Sequence, residues 1–261
     1  MERKPISFNP DEFPEIFHPY INGARLFDSS CSSAARVIYI DNGEGLYLKS
    51  APKGALKTEA EMTRFLNGKG LAPEVVAYES GEKDWLLSVR ARGEDAAFKS
   101  YLDEPNRLCD SMAEALRRLH SMDCTGCPVP DRTKAYLAAA ETGYKNGLFD
   151  NTLFPKKRGY KSAEEAWGVV RDYGRLLKTD TLIHGDYCLP NIILNNWSFS
   201  AFIDVGNGGV GDRHIDLFWG AWSLGYNLKT DKFADRFFDA YGRADVDADM
   251  LKIVAAAEMF G

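Results

Sequence analysis

Residues 183–191 read Ile-His-Gly-Asp-Tyr-Cys-Leu-Pro-Asn, which places an acid, Asp186, five positions before an amide, Asn191, on a loop between two short apolar segments. Asp204 follows thirteen positions later, within Phe-Ile-Asp-Val-Gly. In kinases a loop Asp accepts the proton of the acceptor hydroxyl, an Asn binds magnesium, and the Asp of an Asp-x-Gly motif binds the nucleotide metals. Each residue alone also suits a turn. Their joint spacing predicts an ATP-dependent kinase with Asp186 as catalytic base and Asn191 and Asp204 as Mg²⁺ ligands.

The sequence before this loop predicts a small lobe made of strands and one helix. Residues 41–45, Asp-Asn-Gly-Glu-Gly, have the composition of a hairpin turn, and apolar residues flank them on both sides. Helical spacing of apolar residues follows, and it is ended by glycines. In chain order the predicted elements are strands Arg36–Ile40 and Leu46–Lys49, helix Leu56–Leu66, and strands Glu74–Glu79 and Trp85–Val89.

Two charged residues in this region suit nucleotide binding. Lys49 ends a predicted strand, where kinases carry the lysine that pairs with the phosphates, and Glu59 lies on the following helix, where it could hold that lysine in an ion pair. A solvated lysine and a solvated glutamate are the alternative. The serine-rich residues 28–35, including Ser33, could cradle phosphates with backbone N–H and hydroxyl donors. A flexible loop describes that segment equally well.

From about Pro105 onward the pattern becomes helical. Met112, Ala115, Leu116 and Leu119 share one face of a helix that ends near His120. Short strand-like segments interrupt this region around the Asp186 loop. We therefore predict an α+β, two-lobed, protein-kinase-like fold, with residues 1–92 as a β-rich nucleotide-binding lobe and 93–261 as a mainly helical catalytic and acceptor-binding lobe. Further helices are predicted at 132–142, 163–177, 215–224, 231–241 and 247–260, and short strands at 181–183, 192–194 and 199–203.

The composition of the chain argues against several classes of protein. The net charge of −6 argues against a dedicated nucleic-acid binder. The first residues lack the apolar segment of a signal peptide and no run of about 18 apolar residues occurs, so a cytoplasmic protein without a membrane span is expected. The five cysteines do not form the pattern of a disulfide framework, and a metal site at Cys124 and Cys127 would lack its other ligands.

Several segments together resemble the aminoglycoside phosphotransferase family, particularly its 3'-type, kanamycin kinase-like members. The resemblance spans about residues 33 to 261. It rests on segments that occur in the same order in that family: Leu-Tyr-Leu-Lys at 46–49, Leu-His-Ser-Met-Asp at 119–123, His-Gly-Asp-Tyr-Cys-Leu-Pro-Asn-Ile at 184–192, Phe-Ile-Asp-Val-Gly at 202–206, Gly-Asp-Arg at 211–213 with Asp216, and Glu-Met-Phe at 258–260.

The resemblance implies a small lobe of five strands and a helix that binds ATP, and an aminoglycoside hydroxyl as acceptor. It implies that Tyr47 stacks on adenine, that Val89 to Ala91 form the hinge, and that Asp186, Asn191, Asp204, Lys49 and Glu59 take the roles already described. Enzymes that bind polycations line the acceptor cleft with carboxylates. The resemblance therefore also implies acceptor binding near the C-terminal carboxylates, for which the candidate residues are Asp212, Asp216, Glu258 and Phe260.

Three features depart from the family pattern, and one is Asn207, where family members often carry an Arg after the Asp-x-Gly motif. Residues 122–180 contain eight acids and ten bases, and the basic stretch from Lys156 to Lys161 lies where acids are expected. Ala257 precedes Glu258 where family members commonly carry an Asp-Glu pair. Residues 204–261 still hold ten acids and six bases. The basic stretch faces either the acceptor cleft or solvent.

We predict that the protein transfers a phosphoryl group from ATP to an aminoglycoside 3'-hydroxyl, with antibiotic resistance as the biological effect. One alternative is a kinase of another small alcohol, such as choline, a sugar or a macrolide. Another is a non-catalytic nucleotide-binding protein with a kinase fold, against which the complete set of five nucleotide and catalytic residues argues. Use of GTP instead of ATP, and a monomeric or homodimeric state, stay open.

Overall fold

The computed structural model describes residues 4–7, 9, 12–31, 33–152 and 159–261. The chain forms two compact units. Unit 1 comprises residues 1–92 together with 200–206, and unit 2 comprises 93–199 together with 207–261. The segment that carries Asp204 therefore belongs to unit 1, although it lies within the predicted second lobe in the sequence.

Unit 1 is built on an antiparallel sheet of six strands. The strands and helices of this unit are β1 (Lys4–Ile6), α1 (His18–Ile21), β2 (Arg25–Asp28), β3 (Arg36–Asp41), β4 (Leu46–Pro52), α2 (Lys57–Asn67), β5 (Val75–Ser80) and β6 (Lys83–Val89). The strand order in the sheet is β1-β2-β3-β4-β6-β5. The sixth strand is the short β1, whereas the family resemblance implies five.

The predicted hairpin and the predicted helix of this unit are both present. Ile40 pairs with Leu46 across the turn, and Gly43 and Gly45 in that turn have φ of 100° and 83°, which glycine adopts at little cost. One face of the sheet forms a hydrophobic core with the N-terminal segment, around Phe17, Ile38, Ile40, Leu48 and Leu87. Burial of this apolar face stabilises unit 1.

Unit 2 is mainly helical. The strongly amphipathic helix α4 (Pro105–His120) starts with a proline and ends at His120, as the spacing of its apolar residues predicts. Two predicted helices end earlier than expected, because each gives way to a short 3₁₀ segment, at Gly174–Leu176 and Glu258–Phe260. The helix predicted from Asp231 begins at Ala234, after the 3₁₀ segment Asp231–Phe233. The helices are α3 (Lys99–Leu102), α4 (Pro105–His120), α5 (Arg132–Lys145), α6 (Ala163–Tyr173), α7 (Arg213–Leu228), α8 (Ala234–Gly242) and α9 (Ala248–Ala257).

Short strands frame the loop that carries Asp186. The buried strand β8 (Thr181–Ile183) pairs antiparallel with β11 (Gly209–Gly211), and β7 (Glu94–Asp95) pairs with β9 (Ile192–Asn195). After β9 the strand β10 (Ser198–Phe202) leads the chain back into unit 1. The α+β fold class is thus as predicted. Within the described residues, none of the helices has the length and apolar character needed to cross a membrane.

Candidate active site

The loop after β8 holds Asp186 and Asn191 against each other. The side-chain amide of Asn191 donates hydrogen bonds to the backbone carbonyl of Asp186 and to its Oδ2, both at 3.0 Å. The loop requires glycine at 185, where φ is 81° and a Cβ would lie 1.9 Å from the carbonyl oxygen of Asn207. The two residues that sequence spacing assigns to catalysis and metal binding are therefore in direct contact.

The buried carboxylate of Asp216 holds the backbone of this loop. Asp216 on α7 accepts hydrogen bonds from the backbone N–H groups of His184 and Gly185, each at 2.7 Å. Its Oδ2 also lies 3.1 Å from Nε2 of His120, whose Nδ1 lies 2.8 Å from the Tyr241 hydroxyl. Asp216 has no solvent exposure. It therefore fixes the loop backbone, and it is not a residue that an acceptor could reach.

In unit 1, Lys49 lies between two carboxylates. Its Nζ is 2.8 Å from Oε2 of Glu59 and 2.7 Å from Oδ1 of Asp204. Burial alone would lower the pKa of Lys49, but the charges of Asp204 and Glu59 outweigh it and raise that pKa. Burial raises the pKa of Glu59, and Lys49 opposes the rise. The predicted lysine, its glutamate partner and the Asp-x-Gly aspartate thus form one cluster.

Asp204 has an unusual backbone for a non-glycine residue. Its φ is 56°, in the left-handed region, and half of its side chain is exposed. Such conformations cost free energy and are found where a side chain must point in one direction. Two carboxylates share one lysine here, so that the cluster carries one net negative charge when all three groups are ionised.

The other residues predicted to bind nucleotide also lie in unit 1. Tyr47 on β4 is half-buried and its ring centroid lies 5.3 Å from that of Tyr39. Val89 ends β6, and Ala91 follows it, half-buried. Ser33 is exposed in the bend before β3. In the preceding serine-rich segment, Ser32 lies outside the described residues.

Unit 2 contains a cavity of about 350 Å³ beside the Asp186 loop. Residues of α5 and of α7 line it, together with Glu258, the first residue of the 3₁₀ segment Glu258–Phe260. Glu258 and Asp186 are the carboxylate side chains among its lining residues, and Arg132 is the basic one. The lining residues are Arg132, Ala135, Tyr136, Ala139, Gly185, Asp186, Asn207, Ile215, Trp219, Glu258 and Gly261.

Glu258 is held by two aromatic donors. The Tyr136 hydroxyl donates to Oε1 at 2.9 Å, and the indole N–H of Trp219 donates to the same oxygen at 3.0 Å. Burial raises the pKa of Glu258 to about 7, although both hydrogen bonds oppose the rise, and the nearby charge of Asp186 adds to it. Near neutral pH this carboxyl group can therefore be neutral or charged, and a cation beside it would favour the charged form.

Of the four residues predicted to bind the acceptor, Asp212, Asp216, Glu258 and Phe260, the one among the described lining residues of this cavity is Glu258. The Asp212 carboxylate is used within the fold: it accepts hydrogen bonds from the backbone N–H groups of His214 and Lys178, and from Nδ1 of His214. His214 Nε2 accepts from the N–H of Asp247, so Nδ1 carries the proton. Burial opposes the effect, but these bonds lower the pKa of Asp212. It caps α7, the alternative that its position in the sequence leaves open.

Phe260 packs into a hydrophobic core. Its ring makes edge-to-face contacts with Tyr144 and Trp167, at centroid distances of 5.6 and 6.2 Å, and it is almost fully buried. Its side chain therefore does not reach the cavity. Within the basic stretch, residues 156–158 lie outside the described residues, and the exposed Lys161 donates its backbone N–H to Glu165 at the start of α6.

Two cavity residues, Tyr136 and Trp219, are missed by sequence reasoning. Both lie on helices whose apolar residues predict a core, and aromatic residues at such positions are usually packed inside. The signal that could have identified them is the hydrogen-bond donor on each ring, because a buried Tyr O–H or Trp N–H requires an acceptor. The carboxylate that meets this need is Glu258.

Comparison with known proteins gives consistent matches. The model of the phosphotransferase enzyme family matches residues 25–251. A curated relative, "Probable aminoglycoside 3'-phosphotransferase" of Lactococcus lactis, is 46% identical over 261 residues, covering 99% of this chain and 98% of that protein. "Aminoglycoside 3'-phosphotransferase" of Niallia circulans is 28% identical over 222 residues, covering 84% of each chain.

Among solved structures, an aminoglycoside-3'-phosphotransferase of type VIII superimposes with a TM-score of 0.75 at 24% identity, covering 96% of each chain. An aminoglycoside phosphotransferase of Streptomyces rimosus in complex with ADP and streptomycin superimposes with a TM-score of 0.71 at 21% identity, covering 86% of this chain and 90% of the other. At these identities the superpositions establish a shared fold.

Proposed function

This chain belongs to the phosphotransferase enzyme family, and we propose that within that family it transfers the γ-phosphoryl group of ATP to the 3'-hydroxyl of an aminoglycoside. The observation that carries the proposal is the pairing of Asp186 with Asn191 at the rim of a cavity that contains a second carboxylate, Glu258. The near full-length similarity to the Lactococcus relative supports the choice of acceptor class.

The proposed base is Asp186, which lines the cavity. Asn191 holds one of its oxygens, and Asp216 fixes the backbone on which it is mounted. A hydroxyl bound in the cavity would donate its hydrogen bond to the Asp186 carboxylate and lose its proton to that group as its oxygen bonds to the γ-phosphorus. The bond between that phosphorus and the bridging oxygen of the nucleotide would break in the same step, and ADP would leave. Positioning accounts for most of the catalysis in such reactions, and a rigid loop suits that demand.

The donor set suits Mg²⁺, for which Asn191 and Asp204 are the proposed ligands. Both hydrogen bonds of the Asn191 amide nitrogen go to Asp186, so that its carbonyl oxygen is the atom available to a cation. Asp204 offers a half-exposed carboxylate in a cluster with excess negative charge. Oxygen donors of these types are those that Mg²⁺ prefers, and the bound ion would neutralise charge on the phosphates.

For the nucleotide, we propose that Lys49 pairs with its phosphates and that Glu59 orients the lysine. Tyr47, Val89 and Ala91 would line the adenine site, and Ser33 the phosphate loop. The nucleotide in this proposal is ATP rather than GTP. Since ATP is a cytoplasmic metabolite, the reaction would take place in the cytoplasm and would inactivate the antibiotic there.

A second candidate acceptor is choline. One carboxylate between two aromatic rings, Glu258 with Tyr136 and Trp219, also suits a single small quaternary ammonium group, which aromatic faces attract. Arg132 in the same cavity reduces its net negative charge relative to what a polycation would favour. The two acceptors differ in the number of charges and rings that the site must hold.

The test is a coupled assay of ADP release with purified protein, ATP and Mg²⁺. We expect turnover with kanamycin, none with its 3'-deoxy analogue, and loss of turnover in Asp186→Asn. The matched control is Asp172→Asn, which removes an exposed carboxylate that pairs only with its neighbour Arg171 in the described contacts. Turnover with choline alone would move the acceptor to the second candidate. Equal turnover with kanamycin and the 3'-deoxy analogue would contradict the 3' assignment.

A further inference from the structure

A row of aromatic rings leads away from the acceptor cavity along α7. It consists of Trp219, Trp222 and Tyr226, and we call these three residues the aromatic strip. Their spacing of three and four residues places them on one face of the helix, over an axial length of about 10 Å. Trp219 lines the cavity, whereas Trp222 and Tyr226 continue beyond its lining residues.

The rings of the strip contact one another in sequence. The Trp219 and Trp222 rings meet edge to face with centroids 5.3 Å apart, and the Trp222 and Tyr226 rings stack with centroids 5.1 Å apart and an interplanar angle of 11°. Tyr226 is 59% exposed, which is unusual for an aromatic ring of this size. The strip thus begins at the Glu258 carboxylate, through the indole N–H of Trp219, and ends in solvent.

The outer end of the strip already binds a cation. The Nζ of Lys229, the residue after α7, lies 4.3 Å from the centroid of the Tyr226 ring. An ammonium group at this distance over an aromatic face is attracted by the ring quadrupole. The exposed lysine shows that the geometry at this ring accepts an ammonium group, and a ligand ammonium could take its place.

We propose that the aromatic strip binds an ammonium-bearing third ring of the acceptor, beyond the ring being phosphorylated and the ring next to it. This inference rests on the proposed function. Cationic acceptors are commonly recognised by carboxylates, but Asp212 and Asp216 are used inside the fold and Glu258 is the carboxylate besides the base in the described cavity lining. Aromatic faces attract ammonium groups and also stack on ring systems, so the strip supplies the attraction that further acids would supply.

The proposal is tested by comparing two acceptors that share the reacting ring. Kanamycin has three rings, whereas neamine has the ring with the 3'-hydroxyl and the ring next to it, and lacks the third ring. Kinetic constants are measured for wild type, Trp222→Leu, Tyr226→Leu and the control Tyr173→Leu, which removes a ring of similar exposure, 54%, from α6. We expect each strip variant to raise the KM for kanamycin about tenfold with little change in kcat, in line with the strength of one cation–π contact.

The KM for neamine should change less than twofold in the strip variants, and Tyr173→Leu should match wild type with both acceptors. Since Trp222 is half-buried, the thermal midpoint of each variant is measured, and the exposed Tyr226 provides the variant least able to disturb folding. Unchanged KM for kanamycin in both strip variants would overturn the proposal while leaving the proposed function intact. An equal increase for kanamycin and neamine would also overturn it. No turnover of any aminoglycoside by wild type would overturn the proposed function, and the assignment of the strip with it.

Discussion

Replacing Glu258 by Gln tests the environment of the cavity carboxylate. Gln has nearly the same shape, and its carbonyl oxygen can accept the hydrogen bonds from Tyr136 and Trp219 that Oε1 accepts in wild type. The change therefore removes the titration of the group and leaves its two recorded hydrogen bonds in place. Any pH-dependent difference between the two proteins then comes from the ionisation of Glu258.

The sign and size of the effect follow from the pKa of Glu258, which is about 7 in the folded protein against 4.5 when unperturbed. A group whose pKa is raised by folding stabilises the fold fully below its unfolded pKa and loses that contribution as pH rises through the folded pKa. The window is therefore pH 4.5 to 7. The rise corresponds to a contribution on the order of 3 kcal/mol, at about 1.4 kcal/mol per unit. Wild type should lose this stability between pH 4 and pH 8.5, and Glu258→Gln should not.

The assay is urea unfolding of both proteins at pH 4, 5.5, 7 and 8.5, with the difference in unfolding free energy plotted against pH. Other titrating groups are shared by the two proteins and cancel in this difference. We expect the unfolding free energy of Glu258→Gln, relative to that of wild type, to rise by roughly 2 to 3 kcal/mol from pH 4.5 to pH 7. A difference that is flat with pH, or one that favours wild type at high pH, would refute the argument that burial dominates the pKa of this group.

Three further variants test the catalytic assignments and the loop. Asp186→Asn should lower kcat by about 10² to 10⁴, as expected for a lost general base, without a matching change in the KM for ATP. Lys49→Met should lower kcat/KM for ATP by roughly a hundredfold, because it removes a charge that stabilises the phosphates. Gly185→Ala should lower the thermal midpoint sharply, because its Cβ would overlap the carbonyl oxygen of Asn207.

Matched controls exist for two of these variants. Lys57→Met removes an exposed lysine near Glu61 on α2 and should leave the kinetics unchanged. Gly168→Ala adds a methyl group where nothing lies within 4 Å, in the interior of α6, and should raise stability by about 0.5 to 1 kcal/mol. If Gly185→Ala were as stable as Gly168→Ala, the close approach of the loop to Asn207 would be wrong.

Elements with a strong local pattern could be predicted from the sequence. The hairpin of β3 and β4 has glycines in its turn and apolar strands on both sides, and α4 has apolar residues at helical spacing over its whole length. Such elements carry their own signal, because one face must be buried and the turn residues fix the ends. Both appear in the structure close to the predicted bounds.

Strands formed by distant contacts could not be predicted. The Gly-Val-Gly strand β11 has poor strand propensity, and it forms because it pairs with β8 and because its glycines allow close packing. A Cβ at Gly209 would lie 2.8 Å from the Val129 carbonyl oxygen, and the N–H of Val210 bonds to that same oxygen. These contacts join segments about eighty residues apart, and no local pattern reports them.

The same reason explains why the contact between the predicted catalytic residues could be predicted from the sequence, whereas the position of the predicted acceptor residues could not. Asp186 and Asn191 are five positions apart on one loop, so that their spacing alone implies contact, and the structure shows that contact. Asp212 and Glu258 are both acids in the C-terminal region, and the sequence does not distinguish them. What distinguishes them is which donors surround each one: backbone N–H groups and His214 occupy Asp212, whereas two aromatic side chains hold Glu258 at the cavity wall. An acceptor site built by helices from separate parts of the chain therefore depends on which carboxylate the fold leaves at the wall of a cavity. The number of acids in the sequence does not determine which carboxylate that is.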